Sequence, residues 1–322
     1  MEWLSYAELD GHRHAFDEGV WQTPNIDQFC SSTYWILPAA RHFAPDCAPF
    51  IFSSDDTYGA FMTVEQAGGL NAALPLECGW GLAAPLIGPD ADRAVGLLAS
   101  AWRKRRDIDA IILAGLPPSP PWIDALSARF DRSCRIGLGE RCIRRLASLD
   151  GGLDGFMRRR SPKFRRSVRQ AQRKALAAQV SFERVSNVPA AGLLERILAV
   201  ERASWKGQRG EGMDQSPSVH FYADMVARLT QDGVCRVIFA RQHDHDIGFV
   251  FGAVVQRHYR GLQMSFDHRF VTMGLGNCLQ LAMIEQLCAE GVDVYDLGTD
   301  MPYKARWAEE TFETAIIALL PG

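Results

Sequence analysis

The chain has 322 residues, 47% of them hydrophobic and including eight Trp and seventeen Phe, so about two domains with packed cores are expected. Its 35 basic and 38 acidic residues leave a net charge of −3, which by itself argues neither for nor against a charged partner. No stretch approaches ~18 uncharged apolar residues, which excludes a membrane-spanning helix and leaves peripheral membrane contact open.

The opening Met1–Tyr6 lacks a basic region followed by an apolar run, so no signal peptide is expected. None of the eight cysteines forms a pair with the two-residue spacing of a zinc or redox motif. They read as reduced thiols of a cytoplasmic protein.

Residues 1–48 are irregular in pattern. Trp21–Asn25 looks like a helix entry, with Thr23 or Asn25 as cap. From Ala48 the period becomes two, and Pro49–Ser53, Tyr58–Glu65 and Leu70–Leu76 read as a meander of antiparallel strands. Asp90–Arg105 has helical spacing, Asp107–Leu113 reads as a buried strand, Trp122–Phe130 as a short helix and Cys142–Ala147 as a strand. Ser148–Leu153 looks like a linker between halves.

The second half repeats the plan. Ser161 caps and Pro162 opens a helix over Lys163–Ala177. Val180–Val185 is a strand; Ala190–Trp205 and Ser216–Asp232 are helices. Val234–Arg241, Asp246–Gln256 and Tyr259–His268 form a second meander. Leu275–Ala289 reads as a strongly amphipathic helix ended by Gly291, followed by strands at Val292–Asp296 and Thr314–Leu320. The expected class is therefore α+β, with mixed, mostly antiparallel sheets flanked by helices. The order of elements hints at duplication, although residue-level self-similarity is poor.

Five constellations could carry chemistry. Gly274, Leu275, Gly276 and Asn277 lie between a strand and a helix, where glycines let backbone N–H groups face an anion such as the pyrophosphate of acyl-CoA; a plain tight turn has the same pattern. Glu201 and Trp205 are four apart and would share a helix face, with Lys206 next to them. A carboxylate there could orient or deprotonate an amine, or simply pair with a neighbouring cation. From Arg158 to Lys174 there are nine Lys or Arg and no acid, so the remainder carries −12. This helix suits phosphates of RNA, CoA or lipid, or is a solvated face. His243 and His245 look like a hairpin turn rather than a metal site, and no metal is expected. The fifth is Asp293–Trp307, an apolar alternation that empties at Asp296 into a turn bearing Asp300, Tyr303 and Lys304. Lys304 could hold a carbonyl oxygen as it gains charge, and Asp300 or Asp296 could take a proton or hold Lys304 in place. Structural ion pairs would look the same.

Taken in order, Phe164–Ala171, Glu201 with Ser204-Trp205-Lys206, Phe221-Tyr222, Gly274-Leu275-Gly276 and Tyr295–Gly298 with Tyr303–Trp307 resemble the cellulose-biosynthesis-type acyltransferases of the GNAT superfamily, relatives of the Fem peptidyltransferases. The resemblance covers about residues 145–315. It implies tandem GNAT-like domains, a degenerate one over 1–147 and one carrying the motifs over 148–322. It also implies acyl transfer from a thioester, on CoA or an acyl carrier protein, to an amine acceptor that is a small molecule or a lipid or envelope precursor. No permanently bound cofactor is expected. Gly274–Asn277 would hold the donor, Lys304, Asp300 and Glu201 would act at the reacting atoms, and Trp205, Lys206, Tyr222, Tyr303 and Asp296 would line the substrate. Two positions depart from the pattern: Val271 stands where a Gln or Arg is usual, and Ala308 where a glycine often follows the lysine motif. Fem-type enzymes take aminoacyl groups from tRNA, which with the basic helix makes a tRNA-dependent transferase the second reading. A non-catalytic binding protein of the same fold is the third.

Overall fold

The computed structural model describes residues 1–66, 68–130, 134–185 and 188–321. In chain order its strands are β1 (Glu2–Leu4), β2 (Ala48–Ser54), β3 (Thr57–Glu65), β4 (Asn71–Pro75), β5 (Leu86–Ile87), β6 (Ala110–Leu116), β7 (Cys134–Ser148), β8 (Val180–Val185), β9 (Cys235–Gln242), β10 (His245–Val255), β11 (His258–Phe266), β12 (Val294–Thr299) and β13 (Glu310–Pro321). The helices are α1 (Tyr6–Gly11), α2 (Arg13–Gln22), α3 (Gln28–Ser31), α4 (Thr33–Phe43), α5 (Ala91–Trp102), α6 (Pro120–Phe130), α7 (Gly152–Arg158), α8 (Pro162–Ala177), α9 (Ala190–Ala203), α10 (Trp205–Gln208), α11 (Ser218–Gln231) and α12 (Leu275–Ala289). The chain divides into two compact units, Met1–Ile143 with Glu313–Gly322, and Arg144–Phe312.

The first unit holds the order β1-β2-β3-β4-β6-β13, antiparallel except for the parallel pair β4–β6. The second holds β8-β9-β10-β11-β12-β7 and is antiparallel except for the parallel pair β11–β12. The two orders are the same: four meandering strands, a helix crossover (α5 or α12), a parallel fifth strand, then an antiparallel sixth. The sixth strand comes from the chain's C-terminal segment in the first unit and from the end of β7 in the second.

Residues 1–48, which looked irregular, hold β1 and four helices. Ser5 and Glu8 form a capping box at α1. Thr23 closes a helix instead of opening one: its hydroxyl donates to Gly19 O at 2.8 Å. The next entry belongs to Asp27, whose carboxylate accepts the Cys30 N–H at 3.0 Å. These helices are too short for a clear hydrophobic period to show. The expected linker 148–153 is also structured. Leu149 N–H donates to Asp293 O at 2.8 Å, so the chain stays tied to the sheet until Gly152 opens α7.

In the second unit the sheet alternation builds two cores. Ile238, Ala240 and Val250 face one side with Phe164 and Val168 of α8 and Leu279 and Leu287 of α12. Val237, Phe239, Phe249 and Phe251 face the other, under Leu193 and Ile197 of α9 and Val226 of α11. Helix α8 starts as its sequence dictates, with Ser161 Oγ accepting the Phe164 N–H at 3.2 Å. Helix α12 differs from expectation. It is buried on most sides, including Gln280 and Gln286, because α8, α7 and strands β9–β11 surround it. Two polar side chains on the inner surface make it look amphipathic in sequence.

Candidate functional site

Strands β11 and β12 are in register only from His258↔Val294 to Arg260↔Asp296. Strand β11 then continues to Phe266 and β12 to Thr299. The register of β11 also slips at Leu262, from Gly252↔Gly261 to Phe251↔Gln263. Where the strands separate, a cavity of about 680 Å³ opens. Its walls are Gly261–Phe266 of β11, Tyr295 and Leu297 of β12, the first turn of α12, Trp205 and Lys206 of α10, and the segment from Met301 to Trp307.

Lys304 lines this cavity, and its Nζ donates to Thr299 O at 2.9 Å. Burial pushes its ammonium down to about 8, helped by the Arg260 guanidinium and opposed by Asp296 and Asp300. The 3₁₀ turn Lys304–Arg306 is anchored by Trp307, whose buried ring packs edge-on to Phe164 at 4.8 Å and along Phe156 at 6.2 Å. The Tyr303 ring, also on the cavity wall, lies 5.9 Å from Lys304 Nζ.

Asp296 is buried behind this turn. Its Oδ2 lies 2.8 Å from Arg144 Nη1 and 3.7 Å from Arg260 Nε, and its Oδ1 accepts the Gly298 N–H at 2.7 Å. Gly298 sits at φ +81°, and a Cβ there would stand 2.6 Å from Arg260 Nη1, so only glycine lets the turn close over the guanidinium. Asp300 is paired with Arg145, Nε to Oδ1 at 2.7 Å, which holds its carboxyl below the usual range. Sequence reasoning missed Arg144, Arg145 and Arg260. The first two lie in the second half of β7, where Arg144 comes opposite Thr299.

Glu201 is fully buried and bonds Lys206 Nζ through Oε1 at 3.2 Å. Lys206 Nζ also donates to Gln263 Oε1 at 3.0 Å, and Gln263 Nε2 donates to the Tyr222 hydroxyl at 2.8 Å. Trp205 and Lys206 line the cavity; Glu201 and Tyr222 stand behind them. Trp205 is half exposed, with the Arg209 guanidinium 5.2 Å from its ring. The helix expected to run to Trp205 ends at Ala203, because Ser204 is extended and caps α10 through the Gly207 N–H at 3.3 Å. Glu201 and Trp205 therefore do not share one helix face.

At the start of α12, Gly274 has φ +77°, and a Cβ on it would lie 3.1 Å from Ala171 Cβ of α8. Gly276 brings the helix close to Met264 and Phe266, each 3.3 Å from where its Cβ would be. Leu275 is a core residue while Gly276 and Asn277 line the cavity, so the turn packs on one side and borders the opening on the other. Val271 is exposed, but Lys174 Nζ donates to Thr272 O at 2.8 Å and sets a cation beside the turn. Gly274→Ala is expected to cost about 1–2 kcal/mol in chemical denaturation, from the left-handed backbone and the lost α8–α12 approach. His243 turns between β9 and β10, and among the described residues no cluster of His, Cys, Asp or Glu could hold a metal ion. No described helix is long and apolar enough to cross a membrane.

Residues 162–305 match the model of the acetyltransferase (GNAT) domain. No curated protein matches the chain. Among solved structures, that of FemX superposes with a TM-score of 0.69 at 11% identity, covering 98% of this chain and 97% of the other. A conserved protein of unknown function from Bacteroides thetaiotaomicron gives 0.64 at 10% identity over 99% and 98%. L-PGS from Bacillus licheniformis gives 0.56 at 12% over 85% and 84%. At these identities the likeness is one of fold. The mixed, mostly antiparallel sheet with its flanking helices is thus the GNAT fold.

Proposed function

We propose that the chain is an N-acyltransferase of the cellulose-biosynthesis type. Its second unit, Arg144–Phe312 in place of the expected 148–322, moves an acyl group from a CoA or carrier-protein thioester to an amine on a small molecule or lipid in the cytoplasm. The observation that carries this reading is Lys304, a partly desolvated cation in the wall of a largely apolar cavity that also holds the glycine turn of α12. In this scheme Gly274–Asn277 receive the donor's phosphates and Lys304 faces the thioester carbonyl oxygen as it gains charge. The amine nitrogen bonds to the carbonyl carbon as the C–S bond breaks, and the amine's proton leaves with the thiol. Asp300 tunes the charge at Lys304. Glu201 acts through Lys206, which it holds on the wall beside Trp205.

The first unit, Met1–Ile143 with Glu313–Gly322 in place of the expected 1–147, is in this reading a degenerate GNAT-like copy. The helix that corresponds to α12 is α5, and its N-terminus is filled by its own acids: Asp90 Oδ1 accepts the Arg93 N–H at 2.8 Å, and Asp92 follows in the first turn. Carboxylates there occupy the N–H groups and repel a phosphate.

The test is turnover of an acyl-CoA panel with amine acceptors by wild type and Lys304→Ala. Transfer by the wild type with an unchanged rate in the variant would remove Lys304 from the mechanism. One observation favours the tRNA-dependent reading: on the outer face of α8, Arg165, Arg166, Arg169 and Arg173 make no ion pair within the described residues. If that reading holds, labelled aminoacyl-tRNA binds at low salt and is released steeply as salt rises.

A further inference from the structure

The transfer scheme leaves most of the charge on α8 without a task. Lys174 sits by the glycine turn, but Lys163, Arg165, Arg166, Arg169 and Arg173 line no part of the cavity. Phe164, Val168, Ala171 and Ala175 fix the buried side of the helix. At about 3.6 residues per turn the opposite side carries Arg166, Arg169 and Arg173 in one row, with Leu176 next along it. Leu176 is 77% exposed. No Asp or Glu stands between Asp154 and Glu183 in the chain, and no ion pair among the described residues neutralises the row.

A second element extends this face. Through its bond to Thr272 O, Lys174 ties the end of α8 to the 3₁₀ turn His268–Met273. Val271 on that turn is 65% exposed, and Arg269 near it is matched by Asp267. Two bare aliphatic side chains thus stand at the C-terminal end of an unpaired row of arginines.

That combination tells one polyanion from another. An anionic bilayer rewards both parts: its phosphates attract the arginines, and the boundary between headgroups and acyl chains takes up leucine and valine. An RNA rewards the charge, but its bases stack on aromatic rings, and the one aromatic residue of α8, Phe164, is buried. The chain as a whole carries −3, so its net charge does not draw it to an anionic surface. The local patch must do so, and it thereby sets the orientation. The 3₁₀ turn runs directly into Gly274, which lines the cavity and abuts Ala171 of α8. A bilayer holding this face would lie next to the cavity.

We propose that the outer face of α8, with Leu176 and with Val271 of the 3₁₀ turn, docks the chain on an anionic lipid bilayer. This is a binding surface, and it stands whether or not Lys304 transfers an acyl group.

Sedimentation of the whole chain with vesicles tests it. At low salt the chain should pellet with vesicles of mixed phosphatidylcholine and phosphatidylglycerol, far less with phosphatidylcholine alone, and be released as salt rises. The triple variant Arg166→Gln, Arg169→Gln, Arg173→Gln should lower the partition about a hundredfold. Its three positions are exposed, and an unchanged circular dichroism spectrum shows that the fold is kept. Leu176→Ser with Val271→Ser should lower it about tenfold while leaving any binding of tRNA as in the wild type. A wild type that stays in the supernatant, or either variant pelleting like the wild type, overturns the proposal. So does tighter binding of tRNA than of the anionic vesicles at equal phosphate, which would make the patch a nucleic-acid site.

Discussion

Lys304→Met is expected to lower acyl transfer by about 10²–10³-fold while making the folded chain more stable at pH 7. Both effects come from one fact: Lys304 carries its charge in a place where water reaches it poorly, so its ammonium is pushed down to about 8 from 10.5. Below pH 8 the lysine is charged in the folded and unfolded states alike, and the folded state bears the whole cost of the partly buried charge. Between pH 8 and 10.5 the unfolded chain holds the proton that the folded one has released, so stability rises with pH through that window. Methionine keeps the length and removes the charge. The gain at pH 7 should be about 2 kcal/mol, discounted from the full shift because one side of the turn stays open to solvent. Urea denaturation at pH 7 and pH 10.5 checks this, with a smaller gain expected at the higher pH. Wild-type transfer should decline as pH rises through about 8, whereas Lys304→Arg, charged throughout, should keep part of the rate and lose that decline. A variant that is both less stable and fully active would mean that Lys304 serves the fold and not the reaction.

How far the sequence revealed this site depends on the range of each interaction. The Ser161 cap, the Pro162 start and the glycine turn before α12 are local, written within a few residues, and the structure has them. Lys304 and Trp307 share one short motif, so their joint place on the cavity wall follows from the same stretch. Arg144, Arg145 and Arg260 reach Asp296 and Asp300 from strands far off in sequence, and no local pattern records such a pairing. Glu201 shows the converse. Its spacing to Trp205 looked helical, but one extended residue, Ser204, turned it inward to Lys206. The cavity itself exists because β11 and β12 pair over three positions and then part, and a hydrophobicity pattern carries no sign of where pairing stops.

Asp296→Asn should be among the most destabilising single substitutions in the second unit. The side chain is 1% exposed, and the guanidinium groups it faces are nearly as buried, at 4% for Arg144 and 7% for Arg260. Asparagine has the same shape, and its Oδ1 can still accept the Gly298 N–H, so the change removes charge and little else. Two cations would then stand in the interior with their shared counter-charge gone. Breaking a buried pair from one side costs about 3–5 kcal/mol, much of it the penalty of the charge left behind. Arg260→Met placed on top of Asp296→Asn should recover part of the loss, because it takes out one of the two buried cations that face position 296. A double-mutant cycle in urea reads this directly, and a loss below about 1 kcal/mol for Asp296→Asn would contradict it. The same substitution reaches the site. Asp296 supports the charged form of Lys304, so its removal drives the ammonium still lower, and the alkaline decline in transfer should begin at a lower pH than in the wild type.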